Sequence, residues 1–254
     1  MDWSDKVVLI TGASSGIGRG LGLELAKRGA AVGLFARRVD ALEDIVEEVE
    51  KSGGRAIALP GDVTDANVAR AAACALRRKF GRVDIMIANA GIGATTYALD
   101  LCEKEVAELI NVNVIGVVNS VAAVIPHMIE RGKGHLVAIS SLAAYRGLSK
   151  SAGYCASKAS VSALFESLRI DLRGTGVDVT IIHPGFIKTA IIADHKRTPY
   201  LMELDAAIQK IVRAIEKRKN SYSFPWQLAT IVRACMILPS PVYDWIAARN
   251  SFRE

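Results

Sequence analysis

The chain has few cysteines and histidines, and none in a ligand-like pattern. Its cysteines, at 74, 102, 155 and 235, form no CxxC and no zinc-type spacing. A disulfide framework, a dithiol redox motif and a cysteine zinc site are therefore not expected, and the four read as small, buried, reduced side chains. His127, His135, His183 and His195 also lack metal-ligand spacing. They are expected to be structural or exposed, and no metal is called for. Basic residues cluster at Arg37-Arg38, Arg77-Arg78-Lys79 and Lys217-Arg218-Lys219, but there is no basic tail and no aromatic interleaving. That argues against a nucleic-acid partner. The last two clusters read as solvated helix faces, and the net charge of +6 suits an anionic ligand. No apolar run approaches the ~20 residues of a membrane span. The N-terminal Met1-Asp2-Trp3-Ser4-Asp5-Lys6 has no signal-peptide pattern. A cytoplasmic protein is the expectation. Linkers, short-period repeats and low-complexity segments are absent, so residues 1–254 are expected to form one domain.

What is present is an alternation of buried strands and helices. Hydrophobic residues make up 51% and charged residues 23%, a globular balance. Strand-length apolar runs at Val7–Ile10, Ala31–Phe35, Arg55–Leu59, Val83–Ala88, His135–Ser140 and Val177–Ile182 are rich in Val, Ile and Leu. They do not alternate with polar residues, as befits strands buried on both faces. Helical patterns start near Gly16 and cover Asp40–Lys51 and Ala66–Lys79. Another ends near Ile129, and one carries Tyr154. Repeated β-α-β units predict an α/β fold with a parallel, doubly wound sheet covered by helices on both sides. Residues 186–205 read as a mixed loop, 206–219 as a helix, and 222–254 as an apolar tail.

The first strand runs into Thr11-Gly12-Ala13-Ser14-Ser15-Gly16-Ile17-Gly18, a TGxxxGxG spacing. Glycines at a strand-to-helix junction permit a tight turn, and the helix N-terminus then offers free N–H groups to a pyrophosphate. The second strand ends in Phe35-Ala36-Arg37-Arg38. NAD-preferring sites place an acid there for the ribose hydroxyls, and Ala36 has no such acceptor. Arg37 can pair with a 2′-phosphate, assisted by Arg38 or Ser15. The alternative is two solvated arginines, but cations at a helix start oppose the helix dipole. NADP(H) is the expected cofactor.

Tyr154 and Lys158 are four residues apart in a helical segment, so they share a face. A free tyrosine titrates near pH ~10, and a neighbouring ammonium favours its phenolate. Alone, such a pair usually reads as a solvated helix face.

TGASSGIG, Asn89-Ala90-Gly91, Asn113, Ser141, Tyr154-x-x-x-Lys158 and Pro184-Gly185 occur in one order and spacing. Together they closely resemble the short-chain dehydrogenase/reductase family, in its short single-domain branch, over about residues 5 to 190. The resemblance implies a Rossmann-type sheet of about seven parallel strands and a homodimer or homotetramer assembled through the long helices after strands four and five. It implies that Gly12, Ser14, Gly16, Ile17 and Gly18 shape the pyrophosphate turn and that Asp62 and Val63 face the adenine. Asp62 reads equally as a turn residue before Thr64-Asp65. Asn89, Ala90 and Gly91 would brace the sheet beside the cofactor. Pro184 and Gly185 would border the nicotinamide, with Ile187 and Thr189 reaching the cofactor. The implied catalytic set is Asn113 in a proton relay, Ser141 on the substrate carbonyl, Tyr154 as acid-base group and Lys158 lowering its pKa while holding ribose hydroxyls. Ser140 is adjacent to Ser141, and the family spacing selects Ser141.

The function so implied is NADP(H)-dependent interconversion of a ketone or aldehyde and an alcohol. The alternatives are an NADP(H)-governed regulatory module and, on the same scaffold, epimerisation or dehydration. Residues 186–205 occupy the position of the family's substrate lid. Ile191, Ile192, Tyr200, Leu201, Met202, Tyr97, Leu142, Tyr145 and Leu148 are candidate walls of an apolar small-molecule pocket. His195, Lys196 and Arg197 read as an acid-binding group or a solvated loop tip. In the tail, Leu228, Ile231, Val232, Cys235 and Met236 recur at i, i+3, i+4, i+7 and i+8, an apolar helical face. Pro239 and Pro241 interrupt it before Val242, Trp245 and Ile246 resume. Packing on the core or on a neighbouring subunit is expected there, with a peripheral membrane contact beside Arg233 and Arg249 as the alternative.

Overall fold

The computed structural model describes residues 1–192, 195 and 197–249. Seven parallel strands form one sheet: β1 (Val7–Thr11), β2 (Ala31–Ala36), β3 (Arg55–Pro60), β4 (Ile85–Ala88), β5 (Gly134–Ile139), β6 (Val177–Pro184) and β7 (Ser221–Phe224). Their spatial order is β3-β2-β1-β4-β5-β6-β7. The order reverses between β1 and β4, which opens a crevice beyond the carboxyl ends of those strands. β1, β2, β4 and β5 are buried along their whole length, as their unbroken apolar runs require.

Helices cover both faces. On one side lie α1 (Gly16–Lys27), α2 (Val39–Lys51) and α8 (Leu204–Glu216). They pack Leu21, Leu25, Leu42, Ile45, Ile211 and Ile215 against Val8, Ile10, Val32 and Leu34. On the other lie α3 (Ala66–Phe80), the helical stretch α4 (Glu103–Ile110), α5 (Gly116–Ala122) and α6 (Ile125–Glu130), and α7 (Ala152–Asp171). Here Leu76, Val117, Val121, Val161 and Phe165 meet Leu9, Met86, Leu136 and Ile181. Asp65 caps α3 by accepting from the Asn67 and Val68 N–H groups at 2.7 and 3.2 Å.

Three expectations need correction. β7 lies inside what reads as the apolar tail. Its Ser-Tyr-Ser-Phe sequence alternates as an edge strand does, and it pairs with β6 from Ile181↔Ser221 to Pro184↔Phe224. The tail proper is α9 (Trp226–Ile237) and α10 (Ser240–Arg249). Of the cysteines only Cys155 is buried, while Cys74 on α3, Cys102 at the N-cap of α4 and Cys235 near the chain's C-terminal end are half-buried, none of them in a strand. Finally, Glu103–Glu130 has the length and hydropathy of a membrane-crossing helix, which the broken apolar runs in its sequence conceal. Asn113 and Ser120 interrupt those runs, yet both side chains are turned inward and buried.

Candidate functional site

Two cavities open at the carboxyl edge of the sheet. The first, about 480 Å³, runs from Ala36, Arg37, Arg38, Asp62 and Val63 past Gly12 and Ser14–Ile17 to Asn89–Ile92, Ser141, Tyr154, Lys158, Pro184, Gly185, Ile187 and Thr189. Its floor is the turn between β1 and α1. Ser15 is the N-cap of α1, extended and without a side-chain cap hydrogen bond, and the first turn has no acidic residue. The opening N–H groups of α1 thus face a cavity with no side-chain cap and no first-turn acid among the described residues, the arrangement that attracts phosphate. Gly18 fits because it has no side chain: a Cβ there would stand 2.3 Å from the Gly12 carbonyl oxygen. Asn89 Nδ2 ties the turn to β4 by donating to Thr11 O at 2.9 Å. Thr11 Oγ1 accepts from the N–H groups of Asn89 and Ala90, both at 3.0 Å. Thr11 is a brace that its place within the loop motif does not single out.

At the far end, Arg38 occupies the N-cap of α2. Its Nη2 donates to Ser14 O at 2.8 Å and to Ser14 Oγ at 3.2 Å. Arg38 therefore braces the turn between β1 and α1. Arg37 stays solvent-facing, with Nη1 3.8 Å from Asp62 Oδ2. Asp62 is the turn residue before Thr64 and also lines the cavity. Oδ1 closes a turn by accepting from Thr64 N–H and Thr64 Oγ1, each at 2.9 Å. Oδ2 faces the cavity beside Arg37.

At the near end, Tyr154 and Lys158 share the cavity-facing side of α7. The Lys158 ammonium lies 5.9 Å from the centroid of the Tyr154 ring and donates to Ile139 O at 3.0 Å. Its burial pushes the Lys158 pKa down to about 8. Asn113 sits on a π-turn, Asn111–Ile115, inside the long helical stretch. Its Oδ1 accepts from Ile92 N–H at 2.8 Å, and its Nδ2 donates to Ile92 O and to Ser157 Oγ, both at 3.0 Å. The side-chain amide is thus committed to protein partners, locking the loop after β4 onto α7. A Cβ on Gly91 would come within 3.1 Å of Asn113 Oδ1 and 3.3 Å of Lys158 Nζ, so both groups lie close over Gly91. The adjacent serines both line the first cavity but differ in their bonds. Ser140 Oγ donates to Lys158 O at 3.0 Å and meets Ser162 Oγ at 2.8 Å, and Ser140 does not reach the second cavity. Ser141 Oγ accepts from Ala143 N–H at 3.1 Å and borders the cavity.

The second cavity, about 400 Å³, is apolar and shares Ser141, Tyr154, Gly185, Ile191 and Ile192 with the first. Leu142, Leu148, Tyr200 and His195 line it as walls, with His195 set edge-on to Phe186 at 5.6 Å. His195 is therefore part of the wall rather than a loop tip. Other candidates fall elsewhere. Tyr97 is exposed under the Lys150 ammonium. Tyr145 stacks on His183 and bonds Ser223 Oγ at 2.9 Å. Met202 pairs with Ile187 and packs on the core, and Leu201 is exposed. Arg197 is exposed as well, and Lys196 lies outside the described residues.

Sequence pattern missed the far wall. Leu228, Ile231, Val232 and Cys235 of α9 and Tyr243, Ile246 and Ala247 of α10 line the second cavity. Arg146 joins them, stacked 3.8 Å from the Tyr243 ring centroid and donating to the Cys235 and Leu238 carbonyls that end α9. The i, i+3, i+4 stripe on α9 was the available signal. It splits between this wall and solvent, where Met236 and half of Ile231 lie.

The family model for short chain dehydrogenase matches residues 6–199. An uncharacterized oxidoreductase of Myxococcus xanthus is 43% identical over 249 residues, covering 98% of each chain. A short-chain type dehydrogenase/reductase from Mycobacterium marinum superposes with a TM-score of 0.78 at 26% identity, covering 86% of this chain and 92% of that one. Levodione reductase shares the fold, with a TM-score of 0.81 at 24% identity over 89% of this chain and 98% of its own. The chain belongs to the short-chain dehydrogenase/reductase family of oxidoreductases, which act with a nicotinamide cofactor, NAD or NADP.

Proposed function

We propose that the protein is an NADP(H)-dependent oxidoreductase that interconverts an apolar ketone or aldehyde with its alcohol. One observation carries this: Ser141 and Tyr154 stand where the elongated cavity and the apolar cavity meet. The donor set fits a dinucleotide. Uncapped α1 amides and Arg37 suit phosphates, and Asp62 Oδ2 suits an amine donor. Without an acid at Ala36, the cationic Arg37 favours the 2′-phosphorylated form.

When bound, the nicotinamide supplies hydride in reduction and takes it up in oxidation. The Tyr154 hydroxyl gives its proton to the carbonyl oxygen as that oxygen becomes an alkoxide, while Ser141 Oγ donates a hydrogen bond to it. The Lys158 ammonium then stabilises the phenolate left on Tyr154. In oxidation the phenolate removes the alcohol proton. Gly91, Asn113 and Ile139 O hold Lys158 in place for this. Within 186–205, Phe186, Ile191, Ile192, His195, Pro199 and Tyr200 line the apolar cavity and form its lid. The exposed Ile115, Val118 and Ile170 on the helices after β4 and β5 supply the face for a homodimer or homotetramer.

The test is a panel of apolar ketones with NADPH deuterated at C4 of its nicotinamide. The product alcohols should each carry one deuterium on the former carbonyl carbon. If NADPH binds and no compound in the panel consumes it, a regulatory NADP(H)-binding module is favoured instead.

A further inference from the structure

α9 is apolar on two opposite faces. Leu228 and Ala229 are buried, and Val232 packs with them on Leu142 and Phe186. The outward face carries Trp226, Thr230, Ala234 and Ile237 at i, i+4, i+8 and i+11, with Arg233 beside them. Trp226 is 72% exposed and Ile237 85% exposed. A helix apolar all round normally has a partner on each side. α10, the next helix, exposes Val242 and Trp245, the latter 60% exposed. The Arg249 guanidinium lies 4.1 Å from the Trp245 ring centroid. Between residues 226 and 249 the charged side chains are Arg233, Asp244 and Arg249, so the patch carries an excess of positive charge.

The same helices form one wall of the apolar cavity. Ile231, lining that cavity, is also half exposed, as are Ile191 and Tyr200 across its mouth. Apolar surface therefore continues from the outer face of α9–α10 over the rim and down to Ser141 and Tyr154.

We propose that the outer face of α9 and α10 docks on an anionic lipid bilayer, setting the mouth of the apolar cavity at the membrane surface. Exposed tryptophans flanked by arginines match the chemistry of the membrane interface, where rings enter the headgroup layer and guanidiniums meet lipid phosphates. The net charge of +6 favours an anionic surface. A second copy fits less well, because a rigid protein seated on Ile231 and the facing rim would seal the cavity. A fluid acyl layer leaves it open. Resting on the function proposed above, the substrate is then an apolar carbonyl compound or alcohol that partitions into lipid.

The test is co-sedimentation of the purified protein with vesicles of phosphatidylcholine, alone or mixed with phosphatidylglycerol. The wild type should pellet with the mixed vesicles. The Trp226→Gln/Ile237→Gln/Trp245→Gln variant should partition at least about tenfold less. Arg233→Gln/Arg249→Gln should lose about fivefold per arginine on mixed vesicles only. These side chains are exposed and lie outside both cavities, so NADPH-dependent turnover of a water-soluble ketone should be unchanged in the apolar triple variant. Vesicle binding without any turnover supports docking and sinks the proposed function. Turnover by a wild type that stays in the supernatant overturns docking alone. A wild-type dimer that the triple variant converts to monomer also overturns it, by making the patch a protein interface.

Discussion

Replacing Arg37 by alanine should weaken NADPH binding while sparing NADH. A charge-assisted hydrogen bond to phosphate contributes about 1.5–3 kcal/mol. The Arg37 side chain is 71% exposed, so solvent screening places it near the lower figure. The substitution also removes the Arg37 cation 3.8 Å from Asp62 Oδ2, leaving that end of the cavity less positive. A rise of about tenfold in the NADPH Kd follows, since ~1.4 kcal/mol is a factor of ten. Arg38→Ala should behave differently. It removes the 2.8 Å bond to Ser14 O and the contacts to Ser14 Oγ, which shape the turn that every dinucleotide uses. The Kd values of NADPH and NADH should rise together. Titration of protein fluorescence with each nucleotide measures both constants. Equal losses of the two nucleotides in Arg37→Ala, or no loss of NADPH, would refute the 2′-phosphate assignment.

Two pH dependences follow from buried groups. With the Lys158 pKa near 8, the ammonium is present below that pH and lost above it, so kcat/KM for carbonyl reduction should fall as pH rises through about 8. Lys158→Arg keeps its charge there and should remove that limb; a limb that stays in place would assign it to another group. Burial pushes the His183 pKa down to about 4 and the His135 pKa to about 3, so below pH ~6.5 the unfolded chain takes up protons that the folded one cannot. Stability should therefore decline from pH ~6.5 toward 4, by about 2 kcal/mol per histidine at pH 5, read as a falling urea midpoint. A flat midpoint over that range would contradict the buried, neutral assignment.

Much of the fold was legible because the β1, β2, β4 and β5 residues face helices on both sides, and continuous Val/Ile/Leu runs have few other stable uses. β7 escaped because an edge strand of Ser and aromatic residues lacks such a run. The phosphate turn and the Tyr154–Lys158 pair were legible as local spacings, one at a strand-helix junction and one along a single helix face. The cavity that joins them depends on contacts distant in sequence. Arg146 meets the end of α9 across 89 residues, and Asn113 meets Ser157 across 44. No local periodicity encodes either. For Asp62 two sequence expectations competed, and a carboxylate with two oxygens serves both the turn and the cavity.

The proton-donor role proposed for Tyr154 in hydride transfer underlies every other assignment at the site. Its most direct test compares wild type with Tyr154→Phe, following NADPH absorbance with a reactive ketone and NADPH affinity by fluorescence. Turnover should fall by at least about a hundredfold in the variant with NADPH affinity little changed. Equal turnover in the two proteins, with NADPH bound by both, would contradict it.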